Sequence, residues 1–172
     1  ICPSLVVLTE HGLKQSDIEN TKLEGFTLVS EYCRREHKLG GVAIYCNDNL
    51  TNDTEAIDIT NHCEEKLFEA AMVHITNNGK HLYLLGVYRP PGVNTQTSLD
   101  ILSNILDHYQ AHNKSLILVG DINIDSLKPN NHDSLMLENE LATQNMRRIP
   151  LPATRITPDT STSIDCICTN IP

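Results

Sequence analysis

Four places in the chain set an acidic, amide or phenolic side chain at the end of, or inside, an apolar run. The run Leu5-Val6-Val7-Leu8 leads into Thr9-Glu10-His11, and Leu116-Ile117-Leu118-Val119 leads into Gly120-Asp121-Ile122-Asn123. A strand-like segment closes in Tyr88-Arg89-Pro90-Pro91, and the last apolar segment carries Ser163-Ile164-Asp165. Strand ends are where a rigid sheet aims side chains into a cleft. Carboxylates converging there would bind a hard divalent cation through oxygen. Magnesium suits one or two carboxylates together with phosphate and water. Such an ion polarises a phosphodiester and stabilises the departing oxyanion. Each residue also has a plain reading. Asp121 and Asn123 are common turn residues, Glu10 fits a solvated strand end, and Tyr88 fits a core or edge aromatic. Asp165, between apolar neighbours, needs a hydrogen-bonding partner if it is buried. The case rests on their joint occurrence and order.

The elements that position these groups are mostly strands. Residues 4–9 are nearly continuously apolar and predict a buried strand. Further strands are expected over 26–33, at Val42, Ile44 and Cys46, and over 56–60. Residues 67–76 and 81–89 form the clearest pair, joined by an Asn-Gly turn signal at Asn78-Gly79. Pro90 and Pro91 stop the second of them. Thr97 to Asp100 resembles a capping box, and Leu99, Leu102, Leu106 and Tyr109 follow at helical spacing. A short buried strand over 115–120, a second helix over 133–144 and a last strand over 162–169 complete the order. Strand hairpins mixed with packed helices predict either two sheets between helices or an α+β layer.

The chain has 172 residues, enough for one domain. Its 40% apolar and 20% charged content is globular in character. Aromatics are only 4%, with no Trp, so Leu, Ile and Val must build the core. The net charge of −9 argues against a nucleic-acid coat held by counterion release. It is compatible with an enzyme whose cleft holds cations on carboxylates. No run approaches a membrane span, and no leader is visible. The abrupt Ile1-Cys2-Pro3 start reads as a piece of a longer polypeptide. The six cysteines contain no C-x-x-C pair and read as reduced thiols of an intracellular protein. His108 and His112 have the i, i+4 spacing of some metal sites, but no Glu follows His108, so they read as a solvated helix flank. His11 sits at a loop start beside Glu10 and approaches the cleft if that loop folds inward. Glu69, on an alternating strand, reads as structural or as an outer-shell group.

The order of these motifs resembles the endonuclease/exonuclease/phosphatase superfamily, in particular the apurinic-type endonuclease domain of non-LTR retrotransposons. The matching segments are Leu8-Thr9-Glu10, Gly40-Gly41-Val42-Ala43-Ile44-Tyr45, Gly86-Val87-Tyr88-Arg89-Pro90-Pro91 and Gly120-Asp121-Ile122-Asn123-Ile124-Asp125. Thr154-Arg155-Ile156-Thr157, followed by Ser163-Ile164-Asp165, completes the set. The resemblance implies a four-layered α/β sandwich, two β-sheets flanked by helices, and a single, partial domain over 1–172. It also implies Mg2+-dependent phosphodiester cleavage, with Mn2+ as a substitute ion. On it, Glu10 would bind the metal and Tyr88 would sit beside the scissile phosphate as donor or phenolate. Asp121 would orient or deprotonate the attacking water, Asn123 would hold a phosphate oxygen, and Asp165 would orient a catalytic histidine. Arg89 and Arg155 are expected contacts to DNA phosphate.

The family pattern has an asparagine-bearing strand before this chain's first one and a Ser-Asp-His segment after its last. The expectation is therefore a fragment with little or no activity of its own and with unpaired sheet edges. DNA is the expected substrate, with no membrane partner and a reverse transcriptase following in the parent polyprotein. The expected location is intracellular, and nuclear during action on DNA. Two other readings stay open: a phosphatase or phosphodiesterase on the same scaffold, and a repurposed domain that binds a partner without catalysis.

Overall fold

The computed structural model describes residues 3–172, so Cys2 and the reading of the Ile1-Cys2 start lie outside the described residues. Eleven strands and three α-helices follow in the order β1 (Leu5–Thr9), α1 (Gln15–Ile18), β2 (Phe26–Tyr32), β3 (Val42–Asn47), β4 (Thr54–Ile57), β5 (Glu69–Asn77) and β6 (Lys80–Tyr88). Then come α2 (Thr95–His108), β7 (Leu116–Asp121), α3 (His132–Thr143), β8 (Arg147–Arg148), β9 (Arg155–Ile156), β10 (Ser161–Thr162) and β11 (Asp165–Thr169). Sheet one is three-stranded, ordered β1-β3-β2 and antiparallel throughout. Sheet two is six-stranded, ordered β4-β5-β6-β7-β11-β8. Within it only β6 and β7 run parallel. A parallel neighbour requires a crossover, and α2 supplies it.

Strand alternation sorts the side chains into layers. Val42, Ile44, Ala71, Val73, Leu84 and Tyr88 fill the space between the sheets. On the far side of sheet two, Met72, Leu85, Val87 and Leu118 meet Leu99, Leu102, Ile105 and Leu106 of α2 and Leu137 and Leu141 of α3. Ile18 of α1 packs with Ala43 and Tyr45 on the outer face of sheet one. The result is the four-layered α/β sandwich that the motif order implies. Each fully buried Leu or Ile of these layers contributes about 1.5–3 kcal/mol. The two sheets lie close together at Gly86. A Cβ there would lie 2.9 Å from Val7 Cγ1 and 3.1 Å from Val42 Cγ1.

The β5–β6 hairpin turns on Asn78 and Gly79, with φ of 51° and 73°. Two positive φ values are what a two-residue I′ turn demands. Several local expectations are corrected. β1 is a half-buried edge strand, not a buried one, because only β3 pairs with it, and Leu8 is 38% exposed. β4 ends at Ile57, where the Asp58 carboxylate caps the Thr60 N–H at 3.0 Å and starts a 3-10 turn. The capping box at Thr97 is not used. Asn94 is the N-cap of α2, and its side chain accepts from the Thr97 N–H at 2.9 Å. The last strand is divided at Ser163-Ile164. There the Ser163 N–H donates to Asp125 Oδ1 (3.0 Å), and the Ile164 carbonyl accepts from the Ile122 N–H (3.1 Å). Both bonds go to the turn after β7 instead of to a strand. His112 lies beyond α2 in a 3-10 turn, so it shares no helix face with His108. Among the described residues no helix is long and apolar enough to cross a membrane.

Candidate active site

Sheet register places four polar residues in one row. Glu69 of β5 is opposite Tyr88 of β6, Tyr88 is opposite Asp121 of β7, and Asp121 is opposite Asp165 of β11. Directly opposed residues project to the same face of a sheet. Tyr88 belongs to the core between the sheets, so the whole row faces sheet one. Glu10 comes to the same place from sheet one. It follows the last residue of β1 with φ 54°, and its N–H donates to the Gly41 carbonyl at 2.8 Å. The Tyr88 hydroxyl donates to Glu10 Oε1 at 3.0 Å across the two sheets. Residues 78 apart in sequence are thereby joined.

Asp121 is half-buried beside this contact. Burial, together with the Asp165 and Glu10 charges, pushes its carboxyl up to about 6, against the Asn123 N–H that stabilises its anion. A carboxyl titrating there holds and releases a proton near neutral pH. Burial and the Glu10 carboxylate raise the Tyr88 phenol far above neutral pH, so Tyr88 is a hydrogen-bond donor and not a phenolate. Asn123 stands in the left-handed region, φ 50°, which Asn tolerates better than most residues. Its N–H donates to Asp121 Oδ1 at 3.1 Å and its Nδ2 to the Arg89 carbonyl at 2.8 Å. The side chain also reaches the Asp121 carboxylate, and its remaining Nδ2 hydrogen can be shared with an anionic oxygen.

Arginines fix this turn from two sides. Arg89 is 3% exposed. Its guanidinium donates to the carbonyls of Ile122 (3.2 Å) and Val93 (2.9 Å) and to Thr95 Oγ1 (2.7 Å). Arg148 donates to the carbonyls of Ile124 (2.9 Å), Ser163 (3.3 Å) and Asp165 (3.0 Å). Arg89 is thus an internal brace, and its side chain is already committed away from any phosphate. Arg155 is exposed on β9, with its side chain free to approach a ligand from the β9–β10 hairpin. Arg34, another cation of interest for phosphate, is spent on Glu69 at 2.5 Å, both side chains being buried. Glu69 Oε2 also accepts the Gly41 N–H at 2.6 Å.

Gly40 and Gly41 lead into β3 with φ of 72° and 94°. The structure adds a packing demand, since a Cβ at Gly40 would overlap the Arg34 guanidinium and one at Gly41 the His11 ring. His11 does turn inward. Its Nδ1 accepts the Leu13 N–H at 3.1 Å and its Nε2 lies 3.3 Å from the Tyr32 carbonyl, so the ring is a neutral scaffold group. Burial lowers its pKa accordingly. The brace that Arg89 and Arg148 place on the turn after β7 left no local signal, because the carbonyls of Ile122 and Ile124 that they meet are distant from them in sequence.

The donors at this end are hard oxygens: the Glu10, Asp121 and Asp165 carboxylates. That chemistry fits a magnesium-class ion and not a thiolate- or imidazole-seeking one. Among the described residues no three His, Cys, Asp or Glu side chains converge tightly enough to enclose an ion. The arrangement therefore fits an ion held by a single carboxylate with water and phosphate, with Glu10 the most exposed ligand.

No family model and no curated protein sequence matches the chain. Solved structures do. The endonuclease domain of TRAS1, a telomere-specific non-LTR retrotransposon, is 15% identical with a TM-score of 0.64, over 86% of this chain and 68% of that one. An AP endonuclease from Leishmania major is 11% identical with a TM-score of 0.73, over 97% and 69%. A 3′-5′ exonuclease from Neisseria meningitidis is 14% identical with a TM-score of 0.63, over 97% and 76%. An endonuclease/exonuclease/phosphatase family protein from Leptotrichia buccalis overlays 98% of the chain at a TM-score of 0.63. At this level of identity a likeness speaks of architecture, and the architecture of this chain is the endonuclease/exonuclease/phosphatase fold.

Proposed function

We propose that the chain is a divalent-metal-dependent nuclease domain that hydrolyses phosphodiester bonds in DNA. The observation that carries the reading is the Asp121 carboxyl. It is pushed up to about 6 by burial and by Asp165 and Glu10, and it sits in one row with the Tyr88 phenol. Asp121 takes a proton from an attacking water as that water bonds to phosphorus, the bond from phosphorus to the departing sugar oxygen breaks, and that oxygen takes a proton from solvent water. Asn123 offers its remaining Nδ2 hydrogen to a phosphoryl oxygen, where charge builds in the transition state. Tyr88, fully protonated, holds Glu10 in place and directs that carboxylate's other oxygen to the cleft. Asp165 keeps the local potential negative, which sustains the basicity of Asp121. A magnesium ion bound at Glu10 would supply neutralisation of phosphate charge.

The retroelement assignment rests on the Tyr88-Arg89-Pro90-Pro91 and Gly120-Asp121-Ile122-Asn123 motifs, supported by the likeness to the TRAS1 endonuclease domain. On that assignment the parent polyprotein carries a reverse transcriptase, and the domain works in the nucleus. Conversion of supercoiled plasmid to nicked circles tests the reading. The chain alone is expected to nick weakly or not at all; nicking by the longer parent protein that needs Mg2+, stops with EDTA and is lost in Asp121→Asn is the expected result. A folded parent protein that leaves plasmid intact at any Mg2+ or Mn2+ concentration would overturn the reading.

A further inference from the structure

Ligand atoms of a different kind gather at the opposite end of β5 and β6. Glu55 of β4, His74 of β5 and Tyr83 of β6 are directly opposed in register, and Thr76 and His81 form the next row on the same face. His74 Nδ1 lies 2.6 Å from Glu55 Oε1. An ionised carboxylate only accepts, so Nδ1 carries the hydrogen and a neutral His74 keeps its lone pair on Nε2. That Nε2 lies 2.9 Å from His81 Nδ1. Thr76 Oγ1 stands 3.5 Å from the first nitrogen and 3.4 Å from the second.

The His74 ring is also fixed by stacking on Tyr83, with centroids 4.5 Å apart at 16°. Tyr83 is in turn covered by Lys114 Nζ at 4.6 Å. One imidazole is therefore oriented by a carboxylate on one edge and an aromatic ring on one face. The second, His81, is exposed and held only by its contacts to His74 and Thr76, with its ring stacked on His74 at 5.1 Å and 14°.

We propose that His74 Nε2 and His81 Nδ1 bind a borderline divalent ion of the zinc class, with Thr76 Oγ1 and water completing the coordination. Two nitrogens on one tetrahedral ion with bonds of about 2.0–2.1 Å stand about 3.3 Å apart, about 0.4 Å more than here. The two rings lie nearly parallel, so His81 must also rotate to aim its lone pair at the shared ion. His81 presents its Nδ1 lone pair in the Nε2–H tautomer, and the ion then replaces the hydrogen shared between the rings. Glu55 supplies the carboxylate behind the liganding imidazole, the outer partner that zinc-bound histidines commonly have. Imidazole nitrogen selects zinc, copper or nickel over magnesium, so this site and the carboxylate end would hold different ions. No group of three or more His, Cys, Asp or Glu side chains surrounds an ion among the described residues. Two imidazoles make an open, exchangeable site, and its bound ion would tie β4, β5 and β6 together beside the Asn78-Gly79 turn.

The test is calorimetric titration of the chain with ZnCl2 in excess Mg2+, which occupies the carboxylate end. The expected result is a zinc-binding event that His81→Gln abolishes and that Glu55→Gln weakens about 10- to 100-fold. Zinc should also raise the melting temperature of the wild-type chain and leave that of His81→Gln unmoved. His81 is exposed, so its replacement leaves the fold intact, as circular dichroism would verify. Absence of zinc binding, or binding equally tight in His81→Gln, would overturn the proposal. The readout is independent of nuclease activity, so a failed nicking assay leaves this test unaffected.

Discussion

The two ends of strand β6 carry opposite chemistry. At its C-terminal end, Tyr88 stands in a row with Glu69, Asp121 and Asp165, mostly shielded between two sheets. At its N-terminal end, exposed His81 neighbours the largely covered His74 together with Thr76 and Glu55. Parity explains the contrast. Even-numbered residues such as Leu84 and Tyr88 face sheet one, while Tyr83 and Leu85 face the helices. Burial explains the rest. Kept from water and close to two other carboxylates, Asp121 has its proton affinity raised, so it can act on protons near neutral pH. Imidazoles at the sheet edge offer lone pairs instead. One strand thus separates a hard-oxygen end from a nitrogen end.

The largest expected effect breaks the acidic end. Asp121→Asn keeps the shape of the side chain and removes the base. Nicking should fall by about 10²- to 10⁴-fold, measured by plasmid conversion. A residual rate within a few-fold of wild type would remove Asp121 from the chemistry. Glu69→Ala comes next and acts on stability. It strands the buried Arg34 guanidinium, which is 8% exposed, without its partner. Loss of one member of a buried pair costs about 3–5 kcal/mol, read as a lowered urea midpoint. The same change at the open end has no such leverage.

Much of this contrast was legible beforehand. Asn78-Gly79 marked the hairpin, the Leu116–Val119 run marked β7, and Leu99, Leu102 and Leu106 marked the buried face of α2. These are periodic or turn-specific signals carried by neighbours in sequence. Glu10, Tyr88, Asp121 and Asp165 could be nominated because each stands at a strand end. Their register with one another could not, since strand order has no local signature. For the same reason Arg89 and Arg155 looked alike, although one is a buried brace and the other an exposed side chain. The His74–His81 pair escaped as well. Its members lie on two strands, one row apart diagonally, whereas helical spacing drew attention to His108 and His112. The short α1, β8, β9 and β10 have too few residues to show any period.

A smaller effect sharpens the comparison through pH. The folded Asp121 carboxyl sits at about 6, above its ordinary carboxylate value near 4. The folded state therefore binds this proton more tightly than the unfolded chain. Its contribution to stability is fully present below the unfolded value and is lost as pH rises through about 6. Wild-type stability should decline between about pH 4 and pH 6 relative to Asp121→Asn, seen in urea midpoints across that range. Activity should run the other way, rising as the base ionises, with a limb that moves to lower pH if Asp165→Asn removes a neighbouring charge.

The smallest effect is expected at the open end. Without added metal, Glu55→Gln removes only an exposed carboxylate, 73% accessible, from a contact with a largely covered imidazole. Water replaces the lost partner, so the urea midpoint should move by no more than about 0.5 kcal/mol in free energy. Plasmid nicking should be unchanged, because no hydrogen bond links Glu55, His74 or His81 to the Tyr88 row. If Glu55→Gln lowered nicking several-fold at unchanged stability, the two ends of β6 would be coupled through the strand. The separation of hard-oxygen and nitrogen chemistry would then be geometric only.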